Sequence, residues 1–354
     1  MLNADVEVDR RDFTVRVAFA VAPGERLALF GPSGAGKTTI LEVIAGLVPP
    51  RRGTVELGGR MLTRTSQPRC AVPPWRRQVG LLRQDPALFP HLSVRQNLTY
   101  APGAASRGDE IGQIASRLGI GGLLGDRPAR LSGGQAHRVA LGRLLLAHCG
   151  ALLLDEPYTG LDASLRRDLT DLVRELVAAR QVPAVLVAHE LDAAQAFADR
   201  LAVLDRGQIL QEGSPSEVVT GPASRRVAEL VGYRSFVPVP SGAGPVVANT
   251  VVADTVVADT VAGVHPDRVI AGAQPDRGLV LTGQVVACRP AGAGWEATID
   301  VAGGVLAVRL PDKPPDGAGY GDGPDSRAER IVLTVLDPPY FGPDGARLTA
   351  QVAG

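Results

Sequence analysis

Hydrophobic residues up to about position 232 follow two alternating patterns. One consists of short, almost continuous apolar runs, which are typical of strands that a sheet buries on both faces. These runs are Leu27–Phe30, Val79–Leu82, Ala151–Leu154, Ala184–Ala188 and Leu201–Leu204. In the other pattern, leucines recur at helical spacing, as at Leu165, Leu169, Leu172 and Leu176. Strands that alternate with helices in this way predict an α/β fold with a largely parallel sheet.

The stretch from Leu88 to Gly150 interrupts this alternation. Its strand signal disappears, and helical patterns cover Ser93–Tyr100, Glu110–Leu118 and Gly133–His148. We therefore predict a helical insertion at about residues 88–150 of a domain that covers residues 1–232. The strand at the N-terminus of this domain is expected to be short.

The pattern changes again after Tyr233. The chain becomes rich in Pro, Gly, Ala and Val, and it contains three near-copies of a five-residue unit, which are Val246–Thr250, Val251–Thr255 and Val256–Thr260. Repeats this short predict a linker or a surface hairpin, which we place at residues 233–262. Beyond it, short alternating runs between Gly and Pro clusters predict a small all-β domain at residues 263–354.

Composition limits the functional classes. The chain of 354 residues carries 37 basic and 37 acidic side chains, and this balance does not favour a nucleic acid as partner. No apolar run approaches the roughly 20 residues of a membrane-spanning helix, and the N-terminus lacks the pattern of a signal peptide. The three cysteines lack metal-ligand spacing, which predicts free thiols in a reducing cytosol. A cytosolic protein is therefore expected, unless a membrane partner holds it.

A glycine-rich segment, Gly31-Pro32-Ser33-Gly34-Ala35-Gly36-Lys37-Thr38, follows a predicted strand and opens a predicted helix. Backbone N–H groups of such a loop can surround phosphate oxygens, and the N-terminus of the helix adds partial positive charge. Lys37 would contact the β and γ phosphates of a nucleotide, and Thr38 would offer its hydroxyl to Mg²⁺. Thr39 extends the same predicted site. Lys37 is one of only two lysines among the 37 basic residues, which indicates a specific need for lysine here.

Two further segments could act with this loop. Asp155 and Glu156 end an apolar run, so Asp155 would hold Mg²⁺, directly or through water, and Glu156 would polarise the attacking water. On its own, such an acidic pair is more often a solvated strand end. Ser132–Gln135 places a serine and two glycines at the start of a predicted helix, where backbone N–H groups could bind an anion. Alone, that segment would be an ordinary helix cap.

In this order, these segments resemble the ATP-binding subunit of ABC transporters. The resemblance covers Leu2–Gly232 and rests on six motifs, which are Gly31–Thr38, Gln84, Leu131–Gln135, Leu152–Glu156, Gly160–Asp162 and His189. It implies a P-loop NTPase cassette that hydrolyses ATP with Mg²⁺, followed by a small all-β domain.

The resemblance also implies a role for each matching residue. Two copies would form a head-to-tail homodimer, in which the segment Ser132-Gly133-Gly134-Gln135 of one copy closes on ATP held by Lys37 of the other. Gln84 would sense the γ-phosphate and Mg²⁺, which makes it a metal ligand beside Thr38 and Asp155. His189 would contact the γ-phosphate, and Asp162 would cross the dimer interface.

Three positions are less well defined by the resemblance. Phe13 is our candidate for stacking on adenine, although an aromatic residue there could equally belong to the core. His137 stands where the family usually has Gln or Arg, and Gly142 where it usually has Ala. Both lie outside the phosphate cradle, so these departures bear on the rate of the reaction and not on its mechanism.

The C-terminal tail resembles the small OB-like accessory domain that follows the ATPase in many bacterial importers. The similarity lies in Gly263–Val269, Leu281–Val286 and Asp337–Gly342. Residues 72–92 look most like the molybdate and related oxyanion importers, and iron(III), thiamine, polyamine and sugar importers share much of this stretch. The resemblance therefore implies a translocase ATPase on the cytoplasmic face of a bacterial plasma membrane.

Such an ATPase requires partners. The resemblance implies integral-membrane permease subunits and, through them, an extracytoplasmic substrate-binding protein. The predicted contacts with a permease helix are Asp85, Leu88, Phe89 and His91. A soluble ABC protein that acts on DNA or the ribosome is the alternative class, but such proteins usually carry two cassettes or a long coiled-coil insertion. A third hypothesis makes the tail a regulatory module that binds the cargo.

Overall fold

The structure is a computed structural model. It describes residues 1–100, 108–158, 161–238, 246–247, 250–251, 261–272, 274, 278–292, 294–301, 304–312, 330–336 and 338–348. The chain divides into two units, Met1–Pro215 and Ser216–Gly354. None of the helices in these described ranges combines the length and the apolar character that crossing a bilayer requires.

The first unit alternates strands and helices. In chain order its elements are β1 (Leu2–Asp9), β2 (Thr14–Val21), β3 (Arg26–Phe30), α1 (Lys37–Ala45), β4 (Arg52–Leu57), β5 (Arg60–Arg64), β6 (Cys70–Ala71), β7 (Val79–Leu82), α2 (Val94–Thr99), α3 (Gly108–Arg117), α4 (Gly133–Leu146), β8 (Ala151–Asp155), α5 (Ala163–Arg180), β9 (Ala184–Ala188), α6 (Leu191–Phe197), β10 (Arg200–Asp205) and β11 (Gln208–Gly213).

Five of these strands form a parallel sheet, as the continuous apolar runs predict. The order is β11-β10-β3-β9-β8-β7, and only the edge strand β11 runs antiparallel to its neighbour. Every residue of β8 and of β9 is buried, because helices cover both faces of a sheet of this kind. The parallel arrangement brings the carboxyl ends of β3, β9, β8 and β7 to the same edge.

A second, antiparallel sheet has the order β2-β1-β4-β5-β6. Strands β1 and β2 are eight residues long and pair along their whole length, so the expectation of a short N-terminal strand is wrong. In β1, Leu2, Ala4, Val6 and Val8 are buried while polar, mostly acidic residues alternate with them. A sheet that buries only one face gives this two-residue period, which a search for continuous apolar runs does not detect.

Helices α2, α3 and α4 form the insertion between β7 and β8, and both α2 and α3 pack against α4. Gly142 of α4 faces side chains of both neighbouring segments. A Cβ at this position would lie 2.7 Å from Cδ1 of Leu118 and 2.8 Å from Cδ2 of Leu98. Close helix packing therefore accounts for glycine where the resemblance leads us to expect alanine.

The second unit begins at the second residue of a short helix, α7 (Pro215–Thr220). A second short helix, α8 (Arg225–Leu230), follows, and the unit continues as antiparallel strands. The strands are β12 (Ser235–Pro238), β13 (Val246–Val247), β14 (Thr250–Val251), β15 (Val261–Val264), β16 (Val269–Ala271), β17 (Gly278–Ala291), β18 (Gly294–Val301), β19 (Gly304–Leu310), β20 (Arg330–Leu336) and β21 (Tyr340–Phe341). Three sheets result, with the orders β12-β15-β21, β13-β14 and β16-β20-β17-β18-β19. The all-β tail that the sequence predicts is therefore an antiparallel β region.

The boundary between the two units lies between Pro215 and Ser216. It is N-terminal to residue 232, at which the sequence predicts the end of the first domain. Contacts of α8 with the end of the chain account for this position. The N–H of Arg225 donates to the carbonyl of Gly345 (2.9 Å), and the N–H of Arg347 donates to the carbonyl of Ala223 (3.3 Å). Of the five-residue repeats, only β13 and β14 lie within the described residues, and these pair with each other.

Candidate functional site

Four connections meet at the carboxyl edge of the parallel sheet. Gly31 follows β3, Glu156 follows β8, His189 follows β9, and Gln84 comes two residues after β7. These four strands are neighbours in the order β3-β9-β8-β7. Ligands of open α/β sheets bind at this edge, where the loops of adjacent strands face one crevice.

The loop from Gly31 to Gly36 turns tightly between β3 and α1. A Cβ on Gly31 would lie 2.0 Å from the carbonyl oxygen of Leu204, so only glycine fits against this backbone. Gly36 precedes the first residue of α1 with φ 104°, a left-handed conformation that favours glycine. The first N–H groups of α1 are therefore directed out of the helix beside the loop, as a phosphate-binding site requires.

Lys37 is buried at the start of α1, with 6% of its surface exposed. Its ammonium group donates hydrogen bonds to the carbonyl oxygens of Gly31 (2.7 Å) and Pro32 (2.9 Å). Burial lowers the pKa of Lys37, and the nearby carboxylates of Glu156 and Asp155 oppose this shift. The positive charge of Lys37 is thus held inside the loop, within reach of an anion bound there.

Asp155 and Thr38 are in contact below the loop. The hydroxyl of Thr38 donates to Oδ1 of Asp155 (3.2 Å), and only 5% of Asp155 is exposed. Burial raises the pKa of Asp155, and the carboxylates of Glu156 and Glu42 add to this shift, while the bond from Thr38 and the charge of Lys37 oppose it. A buried carboxylate beside a hydroxyl gives the adjacent oxygen donors that Mg²⁺ prefers.

Glu156 and His189 face each other across the ends of β8 and β9. Nδ1 of His189 lies 3.3 Å from Oε1 of Glu156. The backbone of Glu156 has φ 49°, and its N–H donates to the carbonyl of Val187 (3.2 Å). A left-handed conformation costs a residue other than glycine about 1–3 kcal/mol, and such strain concentrates at functional sites.

These residues surround a cleft of about 630 Å³. Its lining consists of Arg10, Arg11, Asp12, Phe13, Ser33, Gly34, Gly36, Lys37, Thr38, Thr39, Gln84, Glu156, Val187 and His189. The structure thus brings most of the site residues predicted from the sequence to one cavity, and Phe13 forms part of its wall. Gly31, Pro32 and Ala35 belong to the same loop without lining the cleft, and Asp155 lies below it, bonded to Thr38.

Besides Val187 of β9, sequence analysis missed three residues of this lining, which are Arg10, Arg11 and Asp12. They form the turn between β1 and β2, and the sheet places this turn beside the phosphate-binding loop. The two adjacent arginines next to Phe13 were the available signal. Arg10 lies 4.0 Å from Glu42 of α1, which connects the turn to the helix behind the loop.

Ser132–Gln135 and Asp162 do not line the cleft of the same chain. Each begins a helix instead. Oγ of Ser132 accepts from the N–H of Gln135 (3.3 Å), and Oε1 of Gln135 accepts from the N–H of Ser132 (2.8 Å), which is a capping box. Asp162 caps α5 by accepting from the N–H of Leu165 (3.0 Å). Gly160, which belongs to the same predicted motif as Asp162, lies outside the described residues.

Mg²⁺ and ATP fit the residues that are present. A Cβ on Gly34 would meet no atom within 4 Å, so this position leaves room for phosphate oxygens, and Lys37 supplies a buried positive charge. Thr38 and Asp155 supply oxygen donors, and Gln84 lines the cleft with an amide that can supply another. This donor set suits a hard cation that shares its coordination with phosphate groups.

Comparison with known proteins agrees with this geometry. A family model described as ABC transporter matches residues 15–159. A sulfate/thiosulfate import ATP-binding protein of Chromobacterium violaceum is 40% identical over 229 residues, which are 63% of this chain and 60% of that protein. A molybdenum import ATP-binding protein of Mycobacterium tuberculosis is 43% identical over 238 residues, 64% of this chain and 63% of that protein. An Fe(3+) ions import ATP-binding protein of Rhodococcus jostii is 40% identical over 220 residues, 61% of this chain and 62% of that protein. The chain thus spans less than two thirds of each of these relatives.

Solved structures show the same fold. The ATP-binding subunit of an ABC transporter superposes with a TM-score of 0.54 at 26% identity, over 66% of this chain and 95% of that chain. A bacterial Atm1-family ABC exporter with ATP bound superposes with a TM-score of 0.54 at 28% identity, over 65% of this chain and 41% of that chain. The fold predicted from the sequence, a P-loop cassette with a helical insertion, is confirmed. Residues 15–159 of this chain thus match the ABC transporter family model, and the fold is that of ABC ATP-binding subunits.

Proposed function

We propose that this protein is the ATP-hydrolysing subunit of an ABC importer. The observation that carries the proposal is the convergence of Lys37, Thr38, Asp155, Glu156 and His189 at the carboxyl edge of one sheet. This set contains a phosphate-binding cation, oxygen donors for a divalent metal, and a carboxylate–histidine pair that can act on water.

Each of these side chains has a part in hydrolysis. Lys37 binds the β and γ phosphates, while Thr38, Gln84 and Asp155 hold the metal. Bound Mg²⁺ supplies positive charge at the phosphate oxygens. Glu156 orients the attacking water and accepts its proton, and His189 contacts the γ-phosphate.

A homodimer explains the segments that lie outside the cleft of a single chain. Ser132–Gln135 begins α4 with N–H groups that point out of the helix, and Asp162 is an exposed residue at the start of α5. In a head-to-tail pair, Ser132–Gln135 of one copy completes the phosphate site of the other, and Asp162 lies at the interface. Two copies thus enclose two nucleotides.

The permease contact is placed on the segment that follows Gln84. Asp85 and His91 are exposed, and Phe89 packs on Tyr100 with ring centroids 4.1 Å apart. The guanidinium of Arg143 lies 5.3 Å from the centre of the Phe89 ring and donates to the carbonyl of Ala87 (3.2 Å). Leu88, Phe89, Tyr100 and Arg143 thus line a suitable groove for a short permease helix at the cytoplasmic face of the membrane.

The cargo is molybdate or a related oxyanion, brought to the permease by an extracytoplasmic binding protein. Support comes from relatives whose names specify molybdenum and sulfate/thiosulfate import. Relatives named for Fe(3+) import are equally similar, so iron(III) is an alternative, as are thiamine, polyamines and sugars. The β region at residues 263–354 serves as the OB-like accessory domain, and Asp337 of its predicted motif lies outside the described residues.

Glu156→Gln tests the hydrolytic role. The amide keeps the size of the side chain but cannot accept a proton, so we expect kcat for ATP to fall at least about 100-fold. The variant should still bind Mg²⁺-ATP and should accumulate as an ATP-bound dimer in size-exclusion chromatography. Glu175→Gln is a matched control, because it removes an exposed carboxylate from α5. Hydrolysis by Glu156→Gln at the wild-type rate would contradict the proposal.

Uptake measurements test the cargo. A bacterial strain that lacks this protein should lose uptake of radiolabelled molybdate, and a copy of the gene should restore it. Parallel assays with sulfate and iron(III) separate the alternatives. Normal molybdate uptake in the deletion strain, together with a loss of iron(III) uptake, would reject an oxyanion as cargo.

A further inference from the structure

Arg166 joins two segments of the cassette that are distant in sequence. It lies in the first turn of α5, where its N–H donates to the carbonyl of Asp162 (3.0 Å). One guanidinium nitrogen lies 3.5 Å from the carbonyl of Leu161, and the other donates to the carboxylate of Glu190. Arg166 thus connects the loop before α5 with the residue that follows His189.

Glu190 directs its carboxylate toward this arginine and toward His189. It precedes the first residue of α6, yet its side chain makes no capping hydrogen bond to that helix. Oε1 of Glu190 lies 3.8 Å from Nε2 of His189, while Nδ1 of His189 lies 3.3 Å from Glu156. Each imidazole nitrogen therefore faces a different carboxylate, and the pairing of Glu190 decides how strongly it attracts Nε2.

Polar contacts hold His189 more than packing does. A cavity of about 100 Å³ lies against the side chains of Glu156, Arg166, His189 and Glu190, and 48% of the His189 side chain is exposed. Because space remains beside the ring, van der Waals contacts restrict its rotation only weakly. The charges around the ring then have a large influence on its direction.

We propose that Arg166 is a positioning residue that links the loop at Asp162 to His189 through Glu190. This inference rests on the proposed function, in which Asp162 lies at the dimer interface and His189 contacts the γ-phosphate. Paired with Arg166, Glu190 stays beyond hydrogen-bonding distance of Nε2, and Nε2 remains available to phosphate. Without Arg166, the unpaired carboxylate of Glu190 accepts a hydrogen bond from Nε2–H of His189, and this bond turns the ring away from the nucleotide.

The same contacts also couple a movement at the dimer interface to the position of His189. A shift of the loop at Leu161 and Asp162 on dimer closure moves the guanidinium, since Arg166 contacts that loop through its backbone and its side chain. Glu190 and His189 follow, because the ion pair and the adjacent backbone join them. Closure of the interface thereby sets the orientation of a γ-phosphate contact in the same chain.

Arg166→Met tests the link, with Arg167→Met as its matched control. Arg167 is exposed on the same turn of α5, so the control removes the same charge from the same helix. We expect Arg166→Met to lower kcat for ATP between about 10- and 100-fold, the scale of a misplaced reacting group. Nucleotide Kd and the midpoint of thermal unfolding should match those of Arg167→Met. Arg166→Lys should recover part of kcat.

A second substitution separates positioning from a structural role. If the defect arises because Glu190 captures His189, then Arg166→Met combined with Glu190→Gln should regain at least about fivefold in kcat, because the neutral amide attracts Nε2 less. In a His189→Ala background, Arg166→Met should lower kcat no further. A double variant that is no more active than Arg166→Met, or independent effects of Arg166→Met and His189→Ala, would overturn the proposal.

The outcome also distinguishes this inference from the proposed function. A wild-type protein that does not hydrolyse ATP would reject the proposed function itself. A wild-type ATPase that is impaired by His189→Ala, yet unaffected by Arg166→Met, would reject only the role of Arg166.

Discussion

At the scale of single residues, burial disfavours the charged forms of Lys37 and Asp155 in the proposed phosphate site. Burial lowers the pKa of Lys37 and raises that of Asp155, so each group is less stable in its charged form than it would be in water. For Asp155, burial outweighs the attraction of Lys37 and the hydrogen bond from Thr38. The charges of Lys37 and Asp155 are available to a ligand, but they destabilise the folded protein when no ligand is bound.

We therefore expect Asp155→Asn to stabilise the ligand-free protein. The amide keeps an acceptor for the hydroxyl of Thr38 and removes a buried charge. A rise of about 2–4 °C in the unfolding midpoint at neutral pH is expected, which corresponds to about 1 kcal/mol in a domain of this size. Calorimetry without nucleotide measures the shift, and ATPase assays with Mg²⁺ should show that activity is lost.

The pH dependence follows from the direction of the shift. Because the folded protein raises the pKa of Asp155 above its unfolded value near 3.9, the folded state binds the proton more tightly. The destabilisation is absent below the unfolded pKa, develops as pH rises toward the folded pKa, and is complete above it. Asp155→Asn and wild type should thus converge in stability on acidification, and a constant difference across this range would contradict the assignment.

At the scale of secondary structure elements, the starts of helices carry much of the site. Helix α1 begins at the phosphate-binding loop, and α4 begins at Ser132 with a capping box. Helix α2 begins at Ser93 with the same box, in which Oγ of Ser93 accepts from the N–H of Gln96 (3.3 Å). Helices α2 and α4 thus begin with the same type of cap. Only the cap at Ser132 belongs to the proposed dimer site.

This pair gives a matched experiment. Ser132→Ala and Ser93→Ala each remove a cap hydroxyl, so each should lower the free energy of unfolding by about 1 kcal/mol. Only Ser132→Ala should also lower kcat for ATP, because in the proposed dimer its hydroxyl and the adjacent N–H groups complete the partner's phosphate site. Urea unfolding and steady-state ATPase assays measure the two effects. Equal turnover by both variants would remove Ser132 from the site.

At the scale of the whole molecule, the chain consists of two units that each have a core. Leu41 and Leu153 belong to a cluster in the first unit, and Ile299 and Leu333 belong to one in the second. Helix α8 belongs to the second unit although the sequence pattern places it with the first. Its N-terminal residues bond to residues 345 and 347, and the hydroxyl of Tyr233 donates to the carbonyl of Val219 (3.0 Å).

Two fragments test this division. The fragment 216–354 keeps α8, whereas the fragment 233–354 loses three of these hydrogen bonds, each of which contributes about 0.5–1.5 kcal/mol. The shorter fragment should be less stable by about 2 kcal/mol or more in urea unfolding, with an earlier midpoint. A fragment that begins at residue 222 keeps the bonds to residues 345 and 347 and should be intermediate. Equal stability of all three fragments would contradict the role of α8.

The sequence by itself determined the features whose cause is local. The loop at Gly31–Gly36 must be glycine-rich because the backbone turns there, and β8 must be apolar because both faces are covered. Asp155 and Glu156 could be placed at the end of that strand because they end its apolar run. The parallel sheet, the helical insertion and the proposed phosphate-binding loop could be predicted because each has a local sequence pattern.

Only the tertiary structure decided which distant residues meet. The only local signal for Arg10 and Arg11 is that they adjoin Phe13, and it does not reveal that a hairpin places them at the cleft. Arg166 and Glu190 are 24 positions apart in the chain. The division of the chain likewise depends on backbone bonds between Arg225 and Gly345. Such contacts arise from packing of whole elements, and packing depends on shapes and registers that no local pattern encodes.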